Sequence, residues 1–242
     1  MIELRHLTVG YGEKAVLSDI NKTIEAGQMV CLLGSNGVGK STILRTLAGF
    51  QPPLSGKILL QGRDLTSLSI SQRSRAVAVV LTERVEVPYM KVEDMVGMGR
   101  SPYTGFFGTL TKEDRRIVGE AIEMVGIADL ASRTIDTLSD GERQKAMLAK
   151  AIAQQTPVIL LDEPTAFLDF HAKAGTLRLM LRLAHETGKT ILLSTHDVGM
   201  ALRLSDALWI VQDGNILTGT TASLTDDGTL QSFLHGEDDL LR

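Results

Sequence analysis

Three stretches of the chain carry residue types whose order suits the handling of a phosphate chain. The first, Gly34-Ser35-Asn36-Gly37-Val38-Gly39-Lys40-Ser41, fits the pattern G-x-x-x-x-G-K-[ST]. Its glycines let backbone N–H groups converge on phosphate oxygens, Lys40 reaches the outer phosphates, Ser41 can ligate Mg²⁺, and Thr42 follows as a further nucleotide contact. A nucleoside triphosphate is the natural ligand. A glycine-rich turn that only joins a strand to a helix gives the same string, so the flanking elements must decide. The second stretch, Val158-Ile159-Leu160-Leu161-Asp162-Glu163, is an apolar run that ends in two acids. Asp162 suits direct or outer-sphere contact with the cation at Ser41, while Glu163, pointing the other way, can polarise an attacking water. The third is His196 after Thr190 to Thr195, where an imidazole can reach the terminal phosphate and orient that water. A lone histidine at a strand end is more often structural.

These residues need a frame that brings them to one edge. The runs Met29 to Leu33, Val158 to Leu161 and Ile191 to Leu193 are short, continuous and apolar, as strands buried on both faces of a parallel sheet are. Helical patterns over Lys40 to Ala48, Glu142 to Ala153 and Phe170 to Ala184 lie between them. The expected class is therefore α/β, with ligands bound at the carboxyl ends of the strands. Asp213-Gly214 between two apolar runs predicts an antiparallel hairpin near the C-terminus. The polar stretch from about 88 to 137 reads as a mainly helical sublobe.

Composition narrows the function. The chain has 242 residues, 43% hydrophobic and 22% charged, enough for an ordinary globular core. With 25 Lys and Arg against 29 Asp and Glu the formal charge is -4, so the positive field that nucleic acid requires is missing, and nucleic acid is not an expected partner. Cys31, the single cysteine, sits in an apolar run and reads as a small buried hydrophobe, which fits a reducing compartment. Met1 to Leu7 has no signal-peptide pattern, and the apolar runs are far below the roughly 18 residues needed to span a bilayer.

One motif remains. Leu138-Ser139-Asp140-Gly141-Glu142 is an S-x-x-E capping box, in which Ser139 and Glu142 satisfy each other's backbone donors. The same helix N-terminus, with its Ser139 hydroxyl and Gly141 N–H, also suits an anion. A second phosphate-ready helix end is unexpected in a monomer holding one nucleotide.

Taken in order, the Lys40 loop, Leu138 to Glu142, Asp162-Glu163 and His196 resemble the ATP-binding subunits of ABC transporters over essentially the whole chain. The resemblance implies a P-loop NTPase core with a mainly parallel sheet (about 1–87 and 155–225), an N-terminal antiparallel β element, a helical sublobe (about 88–154) and a short tail (226–242). It implies ATP and Mg²⁺, with Glu163, His196 and Lys40 catalytic, and a second copy whose Ser139 and Gly141 close over the ATP of the first. Tyr11 matches the aromatic that stacks on adenine, and Leu168-Asp169 the loop joining the two sites. Gly99-Arg100-Ser101-Pro102-Tyr103 and Pro164 to Asp169 look most like subunits that power import of iron-siderophore complexes, haem or vitamin B12. Two hydrophobic membrane permease subunits docking near Glu83 to Tyr103, an extracytoplasmic substrate-binding protein and a peripheral place on the cytoplasmic face of the inner membrane follow from the same resemblance.

Three positions depart from the family pattern. Glu83 stands where a glutamine is usual and joins Ser41 and Asp162 as an expected metal contact; as a carboxylate it predicts an altered magnesium dependence. Asp140 and Glu142 replace the glycine and glutamine of the common signature, which puts acids near the opposite phosphate, with an effect that their orientation decides. Two other readings stay open: a soluble ABC ATPase acting on ribosomes or DNA, and a regulatory module that binds nucleotide without hydrolysing it. The chain is too short for the paired ATPases or long coiled coil usual in the first, and Glu163 and His196 weigh against the second.

Overall fold

The computed structural model describes residues 1–81 and 88–239, the last four as backbone only. The chain opens with β1 (Ile2–Tyr11) and β2 (Lys14–Ile24), an antiparallel pair, followed by β3 (Met29–Leu33), α1 (Lys40–Leu47), β4 (Ser55–Leu60), β5 (Arg63–Asp64), α2 (Ile70–Ala76) and β6 (Val77–Val80). Next come α3 (Val92–Gly97), a 3₁₀ segment Met98–Tyr103, α4 (Lys112–Met124) and α5 (Asp140–Ala153). The second half alternates β7 (Val158–Leu161), α6 (Phe170–Thr187), β8 (Thr190–Ser194), α7 (Val198–Leu204) and the hairpin of β9 (Ala207–Gln212) with β10 (Asn215–Gly219), before α8 (Thr221–Asp226) and α9 (Thr229–Asp239).

Among the described residues the strands form two sheets. One is antiparallel, ordered β2-β1-β4-β5; the other runs β10-β9-β3-β8-β7-β6, parallel except for its terminal hairpin. The α/β class with an N-terminal antiparallel element is the architecture observed. Because side chains alternate across a strand, each central strand feeds two cores. Met29, Cys31 and Leu33 point into a cluster with α3, α4, α5 and α6, whereas Val30 and Leu32 point to the opposite side, where α1 and the antiparallel sheet close over them. Those runs had to be continuous and apolar because neither face meets water. Burial pushes the Cys31 thiol up to about 12, consistent with an inert packing role.

Local signals explain the helix ends. α5 starts at Asp140, two residues before the expected Glu142, because the Ser139 hydroxyl accepts the Glu142 N–H and the Glu142 carboxylate takes the Ser139 N–H at 2.8 Å. α6 runs three residues past Ala184 and ends at Gly188, whose φ of 67° suits a left-handed helix stop.

The register sets the position of the site. Leu161 pairs with Leu193 and Leu32 with Ser194, so the carboxyl ends of β3, β8 and β7 finish side by side. Gly34, His196 and Asp162 therefore leave the sheet along one edge, at which open α/β sheets bind ligands.

Candidate nucleotide-binding site

The loop after β3 needs glycine for steric reasons. Gly34 has φ 151° and a Cβ there would lie 2.9 Å from Val38 Cγ1 and 3.0 Å from Val211 O; at Gly39, with φ 117°, it would lie 2.7 Å from Val16 Cγ1. The loop winds tightly onto the start of α1. Lys40 is buried, and its Nζ donates to Gly34 O at 2.5 Å and Ser35 O at 2.9 Å. The ammonium is thus held across the mouth of its own loop, whose middle is Asn36, Gly37 and Val38, by carbonyls that phosphate oxygens can relieve. Ser41 is exposed, Thr42 is buried, and the Thr42 hydroxyl donates to the Tyr11 hydroxyl at 3.0 Å. That bond ties Tyr11, 56% exposed, to the edge of the loop.

At the end of β7 the two acids part. Asp162 donates its N–H to Val80 O and is almost fully buried; its Oδ1 accepts the Ser194 hydroxyl at 2.6 Å. The same Ser194 oxygen accepts the N–H of Glu163 at 2.9 Å. Glu163 takes φ 48°, a left-handed conformation that costs a β-substituted residue about 1–2 kcal/mol. This reversal carries its carboxylate away from Asp162 to His196, where Oε2 lies 3.4 Å from Nδ1. The expected acid and imidazole meet, with His196 the more exposed of the two.

Ser194 was not among the residues singled out in the sequence. Its signal was there: a hydroxyl closing an otherwise apolar buried strand must find a partner, and the acids end the neighbouring strand. Ser194→Ala removes the donor to Asp162 and the acceptor for the Glu163 N–H. We expect a loss of about 1–3 kcal/mol in urea unfolding and slower ATP hydrolysis, read from phosphate release, since both acids lose their tether.

Among the described residues the Ser139 side chain bonds to Glu142: its hydroxyl donates to the carboxylate at 2.8 Å. The Ser139 N–H bond to the same carboxylate first, and this hydroxyl bond second, hold the Glu142 carboxyl below the usual carboxylate range. The acids of the signature are thereby oriented: Glu142 turns back onto its own helix end, and Asp140 lies 3.3 Å from Arg143. A Cβ on Gly141 would lie 3.2 Å from Leu168 Cδ2 and 3.3 Å from Phe167 O, so the helix end and the loop after Glu163 touch within one chain. Glu83 lies outside the described residues. Among those described, no group of three or more His, Cys, Asp or Glu side chains is arranged to hold a metal ion by itself. The donors at hand, the Ser41 hydroxyl and the Asp162 carboxylate beside a phosphate-ready loop, fit Mg²⁺, which prefers one or two protein oxygens completed by substrate phosphates.

The family model described as ABC transporter matches residues 17–166. The chain is 37% identical over 222 residues to "Iron(3+)-hydroxamate import ATP-binding protein FhuC" of Bacillus subtilis, covering 91% of this chain and 82% of that one. It is 38% identical over 215 residues to "Cobalamin import ATP-binding protein BtuD" of Halobacterium salinarum, covering 89% of this chain and 54% of the relative, about half its length. Among solved structures, the dimeric post-hydrolysis state of the ATP-binding cassette MJ0796 bound to ADP and Pi superposes with a TM-score of 0.80 at 26% identity, covering 91% of this chain and 99% of that one. The chain belongs to the ABC transporter family of ATPases.

Proposed function

We propose that this chain is the motor subunit of an import system for an iron chelate, haem or cobalamin, working as a pair of identical copies. The observation that carries the reading is the division of labour within one chain: the Lys40 loop with Glu163 and His196 sits at one sheet edge, while a second anion-ready helix end, Ser139 to Gly141, is presented separately by α5. A relative of the same fold is a dimer holding ADP and Pi, and relatives named for iron-hydroxamate and cobalamin import support the cargo class.

In this reading the loop Gly34 to Lys40 cradles the phosphates with its N–H groups, Tyr11 stacks on the base, and Thr42 adds a contact. Ser41 and Asp162, with Glu83, would hold Mg²⁺, which would supply neutralisation of charge on the phosphates. Glu163 orients the water in line with the terminal phosphate and accepts its proton; His196, 3.4 Å from Glu163, steadies that carboxylate and reaches the same phosphate. Ser139 and Gly141 of a second copy close over the nucleotide. ATP then favours the closed pair, and hydrolysis removes the bridge.

No helix among the described residues is long and apolar enough to cross a membrane, so the work is delivered to two hydrophobic permease subunits. Within 83–103 the described part is Pro88 onward, where Tyr89 is 86% exposed. The motor then lies on the cytoplasmic face of the inner membrane, and a substrate-binding protein outside the membrane acts on it only through the permease. The test is to copurify the chain with its permease pair and place the complex in liposomes with an iron chelate, haem or cobalamin on its binding protein. ATP turnover should rise several-fold for one cargo class; turnover identical with and without the membrane subunits sinks the proposal.

A further inference from the structure

We propose that Arg100 is a positioning residue for ATP hydrolysis: it sets the angle of α5 and so the place of Ser139 and Gly141 against the nucleotide of a second copy. The inference rests on the paired-copy reading above. Arg100 is 6% exposed and lies in the Met98–Tyr103 segment, whose residues the site chemistry leaves unused. Its Nε donates to Asp114 Oδ1 at 2.9 Å at the start of α4. Its Nη1 donates to Ala153 O at 2.9 Å, the last residue of α5, and to Gln155 Oε1 at 3.1 Å. The guanidinium lies 4.2 Å from the centre of the Tyr103 ring, which Arg75 of α2 also approaches while donating to Pro102 O.

The backbone is equally close. A Cβ on Gly99 would lie 2.3 Å from Lys150 O, so this segment rests flat on the last turn of α5. Next to it, Gln154 Nε2 donates to Ser74 O at 2.6 Å and Val77 O at 3.1 Å, fastening the same helix end to α2 and β6. The carboxyl end of α5 is therefore clamped on several sides, while its amino end carries the Ser139 cap and meets the Phe167-Leu168 loop. With 14 residues, α5 holds these ends about 20 Å apart. It acts as a lever: a turn of about 5° at the clamp moves the tip by about 1.7 Å. A misplacement of about 1 Å in a reacting constellation can cost about 100-fold in rate.

The test uses the Glu163→Gln chain, which should bind ATP and stay paired. Arg100→Lys keeps a cation beside Asp114 but loses the planar fork that spans Asp114 and the end of α5. Asp114→Asn weakens the ion pair yet leaves the bonds to Ala153 and Gln155. Thermal midpoints, ADP affinity and the ATP concentration for half-maximal pairing by light scattering are measured for each. For Arg100→Lys we expect ADP affinity within about twofold of the parent and an ATP requirement raised about tenfold. For Asp114→Asn, with a comparable drop in midpoint, the shift should stay under about threefold. If Arg100→Lys does not fold, Gln155→Ala is read in its place, with a smaller shift of the same sign.

An unchanged ATP requirement in Arg100→Lys overturns the proposal, as does a shift that simply follows the loss of midpoint in both variants. If the Glu163→Gln parent with Arg100 intact remains monomeric in ATP, the paired-copy reading fails and takes the inference with it; a parent that pairs normally confines any failure to Arg100.

Discussion

Replacing Glu163 by Gln is expected to lower the rate of ATP hydrolysis by about 10²–10⁴-fold, the range that general-base groups contribute, while leaving ATP binding within a few-fold of the original. The side chain keeps its length and polarity but can no longer take a proton from water. The backbone is undisturbed: the Glu163 N–H still donates to Ser194, and the strained φ of 48° is no worse for Gln than for Glu. With hydrolysis blocked and binding intact, the ATP-bridged pair should accumulate. Phosphate release measures the first effect and light scattering in ATP the second. A variant that hydrolyses ATP at the original rate would remove Glu163 from its assigned role and leave His196 without a carboxylate to orient.

Lys40→Met should act one step earlier. The ammonium is nine-tenths buried, and its bonds to Gly34 O and Ser35 O place it across the mouth of the glycine loop. A triphosphate carries several negative charges into that space, and a buried cation offsets them more strongly than an exposed one because the local dielectric is low. Met has nearly the same length and packs in the same channel, so the fold should survive with a thermal midpoint within a few degrees. Removing even one neutral preorganised donor costs about 10²–10³-fold. We expect hydrolysis to fall at least that far, with weakened ATP binding and no ATP-driven pairing. Titration with a fluorescent ATP analogue separates this variant from Glu163→Gln, which binds but does not turn over. Normal turnover in Lys40→Met would mean that the glycine loop is not the phosphate site.

The two variants probe parts of the site that differ in how far they could be read ahead of the structure. The Lys40 loop is local: a strand, a glycine turn and a helix in one stretch of sequence specify the shape, since each piece has its own period and its own backbone requirement. The capping box at Ser139 is local for the same reason, and it places the start of α5 at Asp140. The three buried strands were legible because both of their faces meet apolar layers, which leaves no room for a polar alternation.

What no local pattern contains is the neighbour relation. That Ser194 hydroxyl bonds Asp162 while its oxygen receives the Glu163 N–H depends on β7 and β8 lying parallel in one register. The meeting of Glu163 with His196 needs that register and also a left-handed turn at a residue type that seldom adopts one. Arg100 is a further case, with partners 14, 53 and 55 residues away, held together only once α4 and α5 have packed. Propensity, periodicity and steric demand act over a few residues, so the α/β class, the glycine loop, the two acids after a buried strand and the capped helix were readable along the chain. Which of these side chains face one another follows from strand register and helix packing, properties of the whole core, in which contacts distant along the chain are made together or not at all.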